Sequence, residues 1–178
     1  MEHLTQYFGL AGWGDNMSML KAFAPILGEF SGRGARPDGS ELICHFKGEE
    51  VIYDVCYTLR LEVYSADTTE LLVNSMALIT ADSHGKIQLQ YIDSHEHIGN
   101  MNWAQESAVA SSDAHGRIFA FDGHKENGKA CRLSIDVLSA EDFKIVFEMA
   151  TSRDSHPQLS WEVSLGRQHS NVTKLRVA

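Results

Sequence analysis

The chain has 178 residues, of which 43% are hydrophobic and 22% charged, and its 15 basic and 24 acidic side chains give a formal charge of −9. These proportions suit one ordinary globular domain spanning 1–178, long enough to bury roughly 70% of its unfolded surface. The acidic balance and the singly scattered Lys and Arg argue against nucleic acid or an anionic membrane as partner, and no apolar run approaches the roughly 20 residues of a spanning helix.

Residues 1–15 form an aromatic, Gly-rich segment with Tyr7, Phe8 and Trp13. It lacks a basic stretch followed by an unbroken apolar core, so it does not read as a secretory signal. An aromatic patch of this kind has to be covered, which suggests packing on a second copy and a homodimer. Cys44, Cys56 and Cys131 are odd in number and none are spaced as CxxC. They read as buried free thiols of a reducing compartment, and the expected location is the cytoplasm.

A short helix is expected over 16–27, with Asn16 or Ser18 as its cap and Pro25 limiting its length. From residue 28 the period changes to two. Ten strands follow, at 28–36, 40–47, 49–65, 69–81, 85–94, 96–108, 116–123, 129–138, 142–152 and 158–168, divided by turns such as PDGS, KGEE and HKENG. In KACRLSIDV, Cys131, Leu133, Ile135 and Val137 alternate with Arg132, Ser134 and Asp136; in QLSWEVSLGR, Leu159, Trp161, Val163 and Leu165 alternate with polar residues. Tyr53, Tyr57, Leu59, Leu61 and Val63, with Val51 before them, share one face of the third strand. One apolar and one polar face mark antiparallel strands wetted on one side. Ten of them joined by short turns predict an all-β, up-and-down antiparallel barrel over 28–168, because closure removes the exposed edges.

The stretch ILGEFSGRG at 26–34 and the last strand WEVSLGR resemble the calycin group. That group includes the lipocalins, the fatty-acid-binding proteins and the nitrobindin-like haem-binding barrels. Its members carry Gly-x-Trp at the start of the first strand and an Arg near the end of the last that packs across the Trp. Here Gly28-x-Phe30 stands for Gly-x-Trp and Arg167 for the closing Arg; the ring–guanidinium contact is worth roughly 0.5–2 kcal/mol. Ten strands look more like the fatty-acid-binding and nitrobindin-like branch than the lipocalins. The nitrobindin-like run His-Leu-x-Ala-x-Leu-x-Arg, aligned on Arg167, puts Ser160 where the axial His would stand. The resemblance therefore implies no haem, which needs a strong axial donor.

In YIDSHEHIGNMNW, His95, His97, Met101 and Trp103 share one face of a strand. The Met and Trp turn that face inward. A metal site needs three or four ligands, and His95, His97 and His45 are the candidates; the alternative is a histidine lining an apolar cavity. No GxSxG, HExxH or phosphate-loop pattern is present. The candidate lining of the cavity is Tyr53, Tyr57, Tyr91, His97, Met101, Trp103, Phe119 and Phe121, with Met76 and Leu78 also inward. Apolar walls with a few polar tips describe a small-molecule pocket. The expected function is binding of a small apolar or amphiphilic molecule. The rivals are an enzyme acting on a small hydrophobic substrate in the same cavity and a haem- or metal-binding barrel.

Overall fold

The computed structural model describes residues 21–52, 56–81, 87–93, 100–103, 117–125 and 127–168. A 3-10 helix, Lys21–Ile26, precedes ten strands: β1 Gly28–Ala35, β2 Glu41–Ile52, β3 Cys56–Ser65, β4 Leu71–Ala81, β5 Ile87–Asp93, β6 Asn100–Trp103, β7 Arg117–His124, β8 Ala130–Val137, β9 Asp142–Met149 and β10 Gln158–Arg167. Each strand pairs antiparallel with its chain neighbours, and β10 pairs with β1 to close the barrel. The all-β, ten-stranded up-and-down barrel is therefore present, with Phe30 opposite Arg167 at the seam. Among the described residues no helix is long and apolar enough to cross a membrane.

The turns carry the chemistry expected of them. At PDGS, Gly39 has φ 85° and the Asp38 carboxylate accepts from the Ser40 amide at 2.9 Å and the Ser40 hydroxyl at 2.6 Å. At HKENG, Gly128 has φ 81° and its amide donates to the Lys125 carbonyl. Arg153, from the β9–β10 turn, donates to the Asn127 carbonyl at 2.8 Å and ties the two turns together.

Four expectations need correction. The second hairpin does not turn at KGEE: β2 runs through Gly48 to Ile52, and its partner begins at Cys56. Gly48 is there because a Cβ would overlap the Ile26 carbonyl, so the glycine marks a close approach of backbones within a strand. Val51, expected inward, is 58% exposed as a result. On β4 the inward residues are Ser75, Ala77 and Ile79, whereas Met76 and Leu78 face outward; apolar residues occupy both parities of this strand, so period two cannot choose between them. On β10 a bulge between Leu159 and Trp161 breaks the alternation, leaving Leu159 39% exposed and Ser160 as the extra residue. The helix is a single 3-10 segment with Pro25 inside it; residues 1–20, including the expected caps and the aromatic segment, lie outside the described residues.

Candidate functional site

The two ends of the barrel differ. At one end, where β1 begins and β10 ends, the 3-10 helix is driven in by two wholly buried side chains, Phe23 and Ile26. Phe23 stacks on Phe119 at 4.2 Å and lies 6.2 Å from Phe121. Beside them Phe30, Phe46 and Phe143 meet edge-on at 4.7–6.0 Å. The Arg167 guanidinium lies 4.5 Å above the Phe30 ring centre and donates to the carbonyls of Leu27, Pro25 and Ala140 at 2.9, 3.1 and 3.0 Å. Gly28, at φ 124°, leaves room for it: a Cβ there would lie 2.5 Å from Nη1. This end is sealed.

Toward the other end the inward side chains shrink on three strands: on β4 Ile79 gives way to Ala77 and Ser75, on β7 Phe121 to Gly123, and on β8 Leu133 to Cys131. On β2 Phe46 is followed by Cys44 and then by the buried Leu42, and on β5 and β10 the inward residues grow, from Leu89 to Tyr91 and from Val163 to Trp161. Large rings remain on other strands at this level. Tyr91 on β5 lies 6.2 Å from Phe147 on β9 with 17° between planes, and Phe147 lies 5.5 Å from Trp161 on β10 at 21°. A tier of near-parallel rings thus reaches across the interior, and the smaller residues stand beside it.

Of the expected lining, Tyr57, Tyr91, Phe119 and Phe121 are buried within the core. They do not form one group: Phe119 and Phe121 hold the helix, while Tyr91 belongs to the ring tier. Met101 and Trp103 lie on β6, as backbone partners of Leu89 and Phe121. Tyr53, His95 and His97 lie outside the described residues. His45 is exposed on the outer surface, edge-on to Tyr64 at 6.0 Å, so it does not share the interior as a metal ligand. Among the described residues no three His, Cys, Asp or Glu converge as a metal site.

Sequence reasoning missed Lys125. Its turn reads as solvated punctuation, yet Lys125 is only 8% exposed. The available signal was parity: Phe119, Phe121, Gly123 and Lys125 continue one inward face past the end of β7. A groove of about 400 Å³ is lined by Asp122, Gly123, Cys131 and Arg132 of β7 and β8, with Glu148 and His156 beside them. Its central charges neutralise each other, with Arg132 forked onto Asp122 at 2.6 and 2.9 Å.

The three cysteines are free and buried. Burial pushes the Cys44 thiol up to about 12 and the Cys131 thiol up to about 11. Neither supplies a thiolate nucleophile near neutral pH. The folded state holds these thiols protonated, whereas in the unfolded chain they ionise near 9.0. Stability from this source is complete below pH 9 and declines as pH rises toward 11–12. Denaturant midpoints should fall between pH 8 and pH 10.5, less so in a Cys44→Ala, Cys131→Ala double variant; identical falls would contradict the assignment.

No protein-family model matches the chain, and no curated protein does. Among solved structures it is similar to Rv2717c from M. tuberculosis, with a TM-score of 0.65 at 14% identity over 84% of this chain and 97% of that one. A de novo designed fluorescence-activating β-barrel gives a TM-score of 0.42 at 13% identity, covering 82% of this chain and 97% of the design. A further barrel, EF1p2_mFAP2b bound to DFHBI, gives 0.45 at 11% identity over 84% of this chain and 99% of that chain. The likeness to Rv2717c is one of fold.

Proposed function

We propose that this calycin-like barrel binds a small apolar or amphiphilic molecule in the half of its interior opposite the 3-10 helix, and performs no chemistry on it. The observation that carries the reading is the group of small inward residues on β4, β7 and β8, Ala77, Ser75, Gly123 and Cys131, beside the Tyr91–Phe147–Trp161 tier. A protein without a ligand gains by filling its core to crystal-like density. Small residues at one end, facing rigid aromatic walls, make the layout of a pocket. Three buried free thiols support a reducing compartment such as the cytoplasm. Ser160 stands in the β10 bulge where the resemblance places an axial histidine, and a hydroxyl is a poor haem donor, so the reading includes no haem.

The first experiment is native mass spectrometry of purified protein, with release and identification of any bound molecule. The second fills the space. If the interior beside Ala77 is open, Ala77→Leu leaves the melting temperature within a few degrees and lowers affinity for any identified ligand at least tenfold. If that region is packed solid, the same substitution overpacks it and costs about 1–3 kcal/mol, which would refute the pocket.

A further inference from the structure

We infer that the Ser75 hydroxyl is the polar anchor of the interior, and that the ligand it selects is a flat aromatic molecule carrying a neutral hydrogen-bonding group such as a ring hydroxyl or carbonyl. This rests on the ligand-binding reading above and names the ligand's class. Ser75 is 3% exposed, on the inward face of β4 with Ala77 and Ile79. Among the described residues its hydroxyl makes no hydrogen bond to side chain or backbone. Opposite it on β3 stands Leu61, which is buried and has no polar side-chain atom to offer. A buried hydroxyl without a partner is costly. A core with nothing to hold would gain from alanine at this position.

The register fixes what stands around the hydroxyl. Ala77 lies directly opposite Tyr91, and Ser75, two residues further along the same face, is the diagonal neighbour of that ring. Tyr91 begins the tier that continues through Phe147 to Trp161, with planes 17° and 21° apart. Rings so arranged offer flat faces that a further aromatic system covers in an offset stack. Ala77 and Gly123 beside the tier are small, which leaves thickness for such a body. A ring system lying there would point an edge substituent toward β4, where the hydroxyl can donate or accept. The inward residues flanking Ser75, Leu61 and Ala77, are apolar, which suits a neutral group better than an ionised one. The alternative is an ordered water that satisfies the hydroxyl permanently. The two differ in whether a ligand's affinity depends on that oxygen.

The test titrates two neutral probes of one ring system, 2-naphthol and 2-methylnaphthalene, into the full chain by calorimetry, after refolding from denaturant to free the interior of bound molecules. The expected result is 1:1 binding of both, lost in Ala77→Leu. Ser75→Ala should weaken 2-naphthol about fivefold, in line with one neutral hydrogen bond, and leave 2-methylnaphthalene unchanged. The ligand-free Ser75→Ala protein should melt at the parent temperature or a few degrees above it, because a methyl group replaces an unpaired hydroxyl. Unchanged naphthol affinity in Ser75→Ala overturns the inference while the ligand-binding reading stands, since water alone would then serve the hydroxyl. Equal weakening of both probes also overturns it, because the serine would then act by packing. A Ser75→Ala protein that melts several degrees lower, or fails to fold, counts against it in the same way, as the hydroxyl would then have a partner in the chain. If neither probe binds the unsubstituted protein, or if binding persists in Ala77→Leu, the ligand-binding reading fails and this inference with it.

Discussion

Gly34→Ala is expected to abolish folding or to lower stability by about 4 kcal/mol or more, the range reached when a closely packed site receives an atom it has no room for. A Cβ on Gly34 would overlap the Glu162 carbonyl and crowd the Val163 backbone; one on Gly32 would overlap the Ser164 carbonyl. Both glycines sit where β1 meets β10, opposite Val163 and Leu165, at the seam that closes the barrel. The obstacle is backbone, and it cannot rotate away as a side-chain tip would. Relief requires β10 to move, which would open the ladder holding the first strand to the last. Gly39→Ala provides the contrast. That glycine has φ 85° but open space around it, so alanine meets only the strain of a left-handed backbone, about 1 kcal/mol. Chemical denaturation of both variants should rank Gly34→Ala well above Gly39→Ala. The reverse order would mean that the seam is looser than the structure shows.

The same glycines illustrate what was legible in the sequence. In GEFSGRG they belong to a recognisable pattern, and with Arg167 near the end of the last strand that pattern marks Gly28 and Phe30 from the sequence alone. Strict alternation made β8 readable to the residue, because its parities separate apolar from polar side chains completely. The strand count was legible because short apolar stretches recur between clusters of turn residues. Elsewhere local pattern underdetermined the answer. Gly48 looked like a turn because spacing does not reveal that another backbone lies against it. Met76 looked inward because methionine is apolar, while the face actually buried is that of Ser75 and Ala77. A small residue facing inward signals space only after the fold is closed around it. Lys125 was hidden by its charge, which outweighed a parity that would have turned it inward. The end opposite the 3-10 helix was thus the least legible part, since its distinguishing residues are small or polar and imitate loops.

Arg167→Ala is expected to cost about 3 kcal/mol. Hydrogen bonds from a charged donor are each worth about 1.5–3 kcal/mol when their partners are left buried, and the losses at one guanidinium are not additive. Three separate stretches of chain depend on this one side chain. It donates to the Pro25 and Leu27 carbonyls where the 3-10 helix ends, to the Ala140 carbonyl in the β8–β9 turn, and it covers the Phe30 ring. The helix-end carbonyls have no further turn to accept from, so the guanidinium serves as their cap. Its exposed ion pair with Glu141 at 3.4 Å contributes little beside these. For a chain of this length the loss corresponds to a fall in melting temperature of about 10 °C. Arg167→Lys should recover only a minor part, because an ammonium cannot reach Leu27, Pro25 and Ala140 together from over the ring. Near-complete recovery by lysine would show that charge, and not the fork, holds this end shut. If the helix loosens, the Phe23 contact with Phe119 and Phe121 goes with it, and this end of the barrel opens. Dissociation of any molecule identified by native mass spectrometry, measured in Arg167→Ala well below its melting temperature, should then be faster than from the unsubstituted protein.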